Sequence, residues 1–367
     1  MTESRQKLPF SNPQFKECNK TLNSGTCHNN GQSGQEPSWL SAENKFLLQT
    51  SSKQKLKADA VVASDGSGLY KTIGEAVRAA PSRSDKRFVI YVKEGVYLEN
   101  VKVDDDKWNV MMYGDGIGKT IVSSDLSVGV QTTTGDTATF AVFGKGFIAI
   151  DMEFENTAGP TRGQAVALLS SSDQSVFYRC RIAGYQDTLS TMSGRQFYRE
   201  CEILGTIDFI FGRAATVIQN SDILVRRPST TQKITTITAQ GKDVSQTNSG
   251  LSIQNCNIDA AENLDGVKIY LGRPWKAYST TVIMESQLGS LIDPAGWLPW
   301  DGQPPPDTLL YVEYSNRGPG ADTARRVKWK GVKVGNTRED ADKFTVTNFI
   351  DGDQWLPNTG VPFQASL

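Results

Sequence analysis

Apolar residues fall into short runs along most of the chain, and turn-forming residues separate these runs. From Phe88 onward the runs are rich in β-branched and aromatic residues and are bounded by Gly, Asn, Asp and Ser, which is typical of β-strands. One earlier segment differs, because apolar residues recur at helical spacing between Ile73 and Ala80, just before a proline. The pattern therefore predicts an all-β domain with a short N-terminal helix.

Five of the runs resemble one another, since each has an apolar pair, a polar or cysteine-containing step and a branched apolar residue. The branched residues are Ile182, Ile203, Ile223, Ile258 and Leu288, at steps of 21, 20, 35 and 30 residues. A period of about 20 residues or more indicates a solenoid, and longer steps indicate coils with inserted loops on one face. We therefore predict a parallel β-helix, although short glycine-bounded strands alone also fit a β-sandwich or barrel.

The composition excludes several classes of function. Lys and Arg total 39 against 40 Asp and Glu, a net charge of −1 that provides no field for nucleic acid. No apolar run approaches the roughly 20 residues that span a bilayer, so we expect neither nucleic acid nor membrane as a partner. The one histidine, His28, lies in a polar segment, which argues against a Ser-His-Asp relay or a histidine-rich zinc site.

The N-terminal segment differs in composition from the rest of the chain. Residues 1–56 are rich in Ser, Asn, Gln and Lys and have little periodicity, as in a tail or linker. We place the folded domain at residues 57–367.

The cysteines extend the repeat. Cys180 and Cys201 lie 21 residues apart at equivalent positions, and stacking on neighbouring coils would bring their Cα atoms within disulfide range. We therefore predict a Cys180–Cys201 disulfide, which suits an oxidising compartment. Cys256 occupies a similar step and is predicted to be a buried thiol, whereas Cys18 and Cys27 lie in the polar segment and could pair.

The same period aligns two carboxylates. Asp187 follows Ile182 by five residues, and Asp208 follows Ile203 by five, so both should lie on adjacent coils. Two carboxylates that close cannot ionise freely, so one tends to keep its proton while the other is charged. Such a pair can supply a nucleophile and an acid. The alternative is that each aspartate merely ends a strand in a turn.

Six motifs resemble those of the plant-type pectin methylesterases, also called pectinesterases, and occur in that family's order. They are GYQDTL (184–189), GTIDFIFG (205–212), GQAVAL (163–168), ITAQG (237–241), LGRPWK (271–276) and PAGWLPWDG (294–302). The resemblance implies an all-β, right-handed parallel β-helix with long loops on one face. It also implies hydrolysis of the methyl esters of homogalacturonan (pectin), with no metal and no organic cofactor.

The resemblance assigns roles to residues of these motifs. Asp208 matches the nucleophile and Asp187 the proton donor that later acts as the base. Gln186 and Gln164 match amides that stabilise the oxyanion, although a buried glutamine can equally satisfy backbone groups. The remaining family matches are substrate-binding residues, namely Arg273, Trp275 and Thr134, with Gln164 also contacting substrate.

Aromatic side chains of these motifs are candidates for a sugar-binding cleft, because aromatic rings pack against the apolar faces of sugars. The candidates are Trp275, Tyr185, Phe209, Trp297 and Trp300. Core packing is an alternative for the last three.

The chain departs from the family pattern at three places. Residues 192–194 read Met-Ser-Gly where the family usually has His-Ser-Asn, Arg213 replaces a small polar residue such as Asn, and Gly163 replaces a His. None of these changes removes a matched catalytic residue. We expect Arg213 to alter substrate preference, pH range or activity itself.

The resemblance also implies a setting. We expect a secreted, extracellular protein of the cell wall, a monomer, with a proteinaceous pectin methylesterase inhibitor as partner. The segment PSWLSAENKFLLQ resembles the junction between an inhibitor-like pro-region and the catalytic domain, so residues 1–56 are expected to be a remnant of that region. Two rivals stay open: a polygalacturonase-like enzyme that cleaves the glycan, and a non-catalytic pectin-binding protein.

Overall fold

The protein is described by a computed structural model that covers residues 56–130, 133–335 and 337–367. The predicted tail, including His28, Cys18 and Cys27, lies outside these residues apart from Leu56. Leu56 is buried, and the Tyr113 hydroxyl donates a hydrogen bond of 2.7 Å to its carbonyl oxygen. No helix in the described part of the chain is long and apolar enough to cross a membrane.

The strands form three parallel sheets. The eleven-stranded sheet contains β1 (Ala60–Val62), β2 (Phe88–Val92), β5 (Val110–Tyr113), β8 (Ile148–Ile150), β11 (Ser175–Tyr178), β14 (Arg195–Arg199), β17 (Ala215–Gln219), β20 (Gly250–Gln254), β23 (Thr280–Met284), β25 (Leu310–Tyr314) and β26 (Val332–Lys333). The eight-stranded sheet contains β3 (Gly95–Leu98), β6 (Thr120–Ser124), β9 (Glu153–Asn156), β12 (Arg181–Ala183), β15 (Glu202–Gly205), β18 (Asp222–Val225), β21 (Asn257–Ala260) and β24 (Gln287–Leu288). The seven-stranded sheet contains β4 (Val101–Val103), β7 (Phe140–Val142), β10 (Leu168–Ser170), β13 (Leu189–Thr191), β16 (Ile210–Gly212), β19 (Ile234–Gln240) and β22 (Lys268–Gly272).

From β2 to β24 the chain visits the three sheets in turn, so each complete coil contributes one strand to each sheet, and the fold is a parallel β-helix. Its coils are right-handed, as parallel crossover connections almost always are. The repeat read from the sequence is confirmed, because Ile182 pairs with Ile203, Ile203 with Ile223, Ile223 with Ile258 and Ile258 with Leu288. The 35-residue step from Ile223 to Ile258 contains two longer connections, residues 226–233 before β19 and residues 241–249 after it.

Apolar side chains fill the inside of the coils, stacked one above another. Phe177 and Tyr198 illustrate this packing, with ring centroids 4.8 Å apart and planes at 8°. Burying large apolar side chains stabilises a fold by roughly 1.5–3 kcal/mol each, so a continuous interior stack holds the coils in register.

The prediction of a Cys180–Cys201 disulfide is wrong. Cys180 and Cys201 lie at equivalent positions, because the next residues, Arg181 and Glu202, pair. Both are nevertheless free buried thiols, as is Cys256. In-register residues of adjacent coils are about 4.8 Å apart and point the same way, whereas a disulfide needs Cβ atoms that converge to about 3.8 Å.

Short helices cover the ends and one face of the coils. The predicted N-terminal helix is confirmed as α1 (Ile73–Ala79), which begins with a capping box between Thr72 and Glu75 and buries Ile73, Ala76 and Val77. The later helices α2 (Arg338–Asp342), α3 (Val346–Ile350) and α4 (Gly352–Trp355) pack with apolar residues from the eleven-stranded sheet. The 3-10 helices are Val128–Val130, Thr134–Thr137, Trp300–Gly302, Pro319–Ala321 and Leu356–Thr359.

Candidate active site

The outer face of the seven-stranded sheet carries an apolar cluster, which we call the cleft floor. It comprises the buried residues Ala138, Val166, Leu169, Phe211 and Ala239, and the partly exposed residues Ala141, Phe143, Met192, Trp275 and Trp300. Strand residues alternate between the two faces of a sheet, so Phe211 lies on this outer face while its neighbour Ile210 packs inside the coil. The sheet therefore presents an apolar surface beside which polar side chains can act.

Asp187 and Asp208 lie at the same position of adjacent coils, as predicted from their spacing. The strands that follow them pair Leu189 with Ile210. Hydrogen bonds tie the two turns together, because the Asp187 N–H donates to the Ile207 oxygen at 3.1 Å and the Leu189 N–H donates to the Phe209 oxygen at 2.8 Å. The register thus brings two carboxyl groups to one place.

Both aspartates have left-handed backbone conformations, with φ of 63° at Asp187 and 50° at Asp208. This conformation is uncommon outside glycine. It recurs at other coil corners, however, for example at Arg179 and Glu200. The left-handed turn is therefore a property of the coil corner and does not by itself mark a functional site.

Asp208 is buried, and hydrogen bonds from Thr236 and Arg273 hold its carboxylate in place. The Thr236 hydroxyl donates to Oδ1 at 2.6 Å, and Arg273 donates from Nε to Oδ1 at 2.9 Å and from Nη2 to Oδ2 at 2.7 Å. Such bidentate, charge-assisted bonds are short and strong. They fix the orientation of the carboxylate.

Arg273 is itself held from two further sides. Its Nη1 lies 3.2 Å from Asp301 Oδ1, and its Cζ lies 4.2 Å from the centre of the Trp300 ring. A planar guanidinium stacks well on an aromatic ring. Trp300 and Asp301 therefore help keep Arg273 aligned with Asp208.

The carboxyl group of Asp187 has the opposite electrostatic character. Its burial and then the neighbouring charge of Asp208 raise its pKa well above the usual value, while Arg273 acts in the other direction. Asp187 is thereby biased to carry a proton beside the oriented carboxyl group of Asp208. A protonated and an ionised carboxyl group side by side can act as acid and nucleophile.

Gln164 and Gln186 lie on neighbouring turns of the same region. The Ala165 N–H donates to the Gln186 carbonyl oxygen at 3.1 Å, and the Val128 N–H donates to that of Gln164 at 3.0 Å. Both glutamines are partly exposed. Within the described residues, no hydrogen bond occupies either side-chain amide, so both amides are available to a ligand.

Trp275 lies directly on the backbone of Gly241. A Cβ atom at Gly241 would meet Trp275 Cε3 at 2.4 Å, so only glycine allows this packing. Phe211 contacts the indole edge-on, with ring centroids 6.2 Å apart. Thr134 begins the 3-10 helix whose next residue, Gly135, lies against Leu169 of the cleft floor, so Thr134 also lies near this surface.

The other aromatic candidates divide between cleft and core. Phe209 and Trp297 are buried inside the coils, as the core-packing alternative has it. Trp300 is partly exposed against Arg273. Tyr185 has Arg226 stacked on its ring at 3.9 Å and accepts a hydrogen bond of 2.7 Å from it.

Two neighbours of the carboxylate pair were not singled out from the sequence. Thr236 lies opposite Asp208 because Ile210 pairs with Thr238, a step of 28 residues in place of 21. The adjacent ITAQG motif, aligned by coil register, could have indicated it. Asp301 belongs to the PAGWLPWDG motif, but spacing alone gives no sign that it contacts Arg273. Among the described residues, no cluster of three or more His, Cys, Asp or Glu could hold a metal ion.

Comparison with known proteins identifies the family of the chain. Residues 59–353 match the family model described as Pectinesterase. The chain is 56% identical over 313 residues to the probable pectinesterase/pectinesterase inhibitor 46 of Arabidopsis thaliana, which covers 85% of this chain and 55% of that protein. It is 52% identical over 332 residues to pectinesterase 3 of Phaseolus vulgaris, and the match covers 90% of this chain and 57% of that protein. The chain thus spans about half the length of the curated relatives it matches.

Solved structures share the fold. A pectin methylesterase from carrot superimposes with a TM-score of 0.84 at 48% identity, covering 86% of this chain and 100% of that chain. A pectin methylesterase from Aspergillus niger superimposes with a TM-score of 0.70 at 32% identity, covering 82% of this chain and 96% of that chain. With the parallel β-helix, the paired aspartates and the family match over most of its length, the chain belongs to the pectinesterase family.

Proposed function

We propose that this protein hydrolyses the methyl esters of homogalacturonan, releasing methanol and leaving de-esterified pectin. The observation that carries the proposal is the unequal carboxylate pair, in which Arg273 and Thr236 bind Asp208 while Asp187 has a raised pKa. Family membership supports the choice of a methyl ester as the bond broken.

In the first step, an oxygen of ionised Asp208 attacks the ester carbonyl carbon, and the carbonyl oxygen gains the negative charge. The amides of Gln186 and Gln164 donate hydrogen bonds to this oxyanion. As the tetrahedral species collapses, the bond to the methoxy group breaks and Asp187 gives its proton to the departing oxygen, which leaves as methanol. An acyl anhydride with Asp208 remains.

In the second step, ionised Asp187 removes a proton from water, and the resulting hydroxide attacks the acyl carbon. Collapse restores the carboxylate of Asp208 and leaves a carboxylic acid on the sugar, which releases its proton to solvent and becomes a carboxylate, while Asp187 is protonated again. Neither step requires histidine, which accords with a chain whose single histidine, His28, lies outside the described residues.

Substrate contacts follow from the cleft floor. Trp275 offers an aromatic surface to the sugar ring, and Arg273, Thr134 and Gln164 supply polar contacts beside it. Because the net charge is −1, local cations rather than an overall field must attract a polyanionic chain.

The setting is also part of the proposal. Relatives at 52–56% identity include a protein whose name joins pectinesterase and pectinesterase inhibitor. We expect a catalytic domain at residues 57–367 that works as a secreted cell-wall monomer, with a proteinaceous inhibitor as partner. Residues 1–56 would then be the remnant of an inhibitor-like pro-region.

The test is methanol release from highly methylated pectin, with polymer length measured in the same samples. Methanol with unchanged polymer length supports the esterase. Shorter polymer would instead indicate a glycan-cleaving enzyme, and pectin binding without either product would indicate a non-catalytic protein.

A further inference from the structure

A cavity opens beside the cleft floor, and two of the three places that depart from the family pattern, residues 192–194 and Arg213, line it. Its volume is about 580 Å³, within the range of small-molecule sites. We call it the Arg213 pocket, and its lining consists of Ser171, Met192, Ser193, Gly194, Arg195, Arg213, Ala215, Thr247 and Asn248. Met192 belongs to both the lining and the cleft floor, so the two surfaces are continuous.

The pocket lies within reach of a polymer bound at the carboxylate pair. Arg213 follows Asp208 by five residues, directly after β16. At about 3.3 Å per residue of extended chain, their Cα atoms are at most ~17 Å apart. A chain of a few sugar units with one unit at Asp208 can therefore place another in the pocket.

Arg213 is the pocket cation best able to bind a ligand. Arg195 is held by Asp173, with distances of 3.0 Å from Nε to Oδ1 and 2.8 Å from Nη2 to Oδ2, and by Asp351 at 3.4 Å. Arg213 has a weaker partner, since its Nη1 lies 3.6 Å from Asp243 Oδ2 and both side chains are half exposed. Exposed pairs of this kind contribute little energy, so a bound carboxylate can compete with Asp243.

Neighbouring residues extend the positive charge. The Gly241 N–H donates to the Gly212 oxygen at 2.7 Å, which places Lys242 one coil away from Arg213. Lys276 lies with its Nζ 5.5 Å from the centre of the Trp275 ring. This end of the cleft therefore favours a negatively charged sugar unit over a neutral, methylated one.

We propose that the Arg213 pocket binds the free carboxylate of a de-esterified galacturonate unit in the pectin chain whose methyl ester lies at Asp208. The inference rests on the proposed function and adds a preference to it. The protein would act most efficiently on chains that already carry free carboxylates near the next ester. The hydroxyl groups of Ser193 and Thr247 supply further hydrogen bonds, and Met192 supplies an apolar wall for the sugar ring.

The test compares highly methylated pectin with the same pectin partly de-esterified by alkali. Arg213→Gln should lower kcat/KM on the partly de-esterified substrate by about 3- to 10-fold, mainly through KM, and leave the highly methylated substrate nearly unchanged. Asp243→Asn should act in the opposite direction, because it releases Arg213. Lys330→Gln is the matched control, since Lys330 is an exposed cation paired with Asp307 and lines neither surface.

Binding of an unesterified oligogalacturonate, measured by calorimetry at low salt, separates this inference from the proposed function. Weaker binding by Arg213→Gln supports the pocket, even if no methanol is released from any substrate. Methanol release by the wild-type protein, with equal oligogalacturonate binding and an unchanged substrate preference in Arg213→Gln, would overturn the pocket and leave the esterase intact.

Discussion

Asp187 and Asp208 stand at the same position of two neighbouring coils, yet the bidentate bonds of Arg273 go to Asp208. Thr236 adds a hydrogen bond to the same carboxylate, whereas burial and the charge of Asp208 raise the pKa of Asp187. The coil repeat thus supplies two identical groups, and residues from two later coils make them unequal. That inequality is what an acid and a nucleophile require.

Asp187 should make the stability of the protein depend on pH. The pKa of Asp187 in the folded protein is raised above the usual value near 3.8 that applies to the unfolded chain. At a pH between the unfolded and the folded pKa, the folded protein therefore holds a proton that the unfolded chain has released. Stability contributed by this group is therefore lost as pH rises through that interval and stays lost above it. Asp187→Asn should melt near the wild-type temperature at pH 4 and above it at pH 8.

Thermal unfolding followed by circular dichroism at several pH values measures this effect. Asp301→Asn is a suitable control, because Asp301 is mostly exposed. A melting difference between wild type and Asp187→Asn that does not change with pH would contradict the raised pKa.

Arg273→Lys should reduce activity strongly although the charge is retained. Lysine cannot reproduce the two parallel bonds to Asp208 or the stacking on Trp300. Losing charge-assisted bonds of about 1.5–3 kcal/mol corresponds to a drop of roughly 10- to 100-fold in kcat/KM. Asp301→Asn removes a surface partner of the same guanidinium and should change kcat/KM by less than about fivefold. Equal effects of the two substitutions would argue against a special role for the Asp208 bonds.

Gly241→Ala should weaken substrate binding by displacing Trp275. The added Cβ would meet the indole at 2.4 Å, so the ring must move from its place beside Phe211. Overpacking of this kind costs typically 1–3 kcal/mol, and we expect KM to rise more than kcat falls. The control is Gly74→Ala in α1, where the nearest atoms are the ends of the flexible side chains of Arg78 and Glu99. If Gly241→Ala leaves KM unchanged, Trp275 does not contact substrate.

Arg326 and Glu313 form a buried ion pair beside Trp297. Arg326 donates from Nε and Nη2 to the carboxylate at 2.8 and 2.9 Å, and the Trp297 indole N–H donates to it at 3.1 Å. Arg326→Met leaves Glu313 charged and buried, which should cost about 3–5 kcal/mol. Urea unfolding measures the loss, and adding Glu313→Gln should recover part of it. No recovery in the double variant would mean that shape, not charge, dominates there.

Much of the fold and part of the site could be predicted from the sequence. The steps of 21 and 20 residues between Ile182, Ile203 and Ile223 are short enough that no insertion disturbs the coil, so they aligned Asp187 with Asp208 correctly. Thr236 escaped notice because the loop at residues 226–233 lengthens the step to it. A sequence repeat shows which residues of adjacent coils align only where the coils have equal length.

The errors and omissions have physical causes. Spacing placed Cys180 and Cys201 at equivalent positions of adjacent coils, but spacing cannot show whether their sulfur atoms bond, and both thiols are free. Asp301 contacts Arg273 across 28 residues of sequence, through a loop with no period. The course of the loop that carries Asp301 determines this contact, and no local sequence pattern predicts that course.

Methanol release by Asp208→Asn is the measurement that tests the proposed mechanism most directly. Asparagine keeps the size of the side chain and can still accept from Thr236, but it is a poor nucleophile. With unfolding temperature and pectin binding measured in the same preparation, we expect methanol release to fall by about 10³-fold or more while the variant stays folded and binds pectin. A folded Asp208→Asn variant that releases methanol within about tenfold of the wild-type rate would contradict the assignment of Asp208 as the nucleophile.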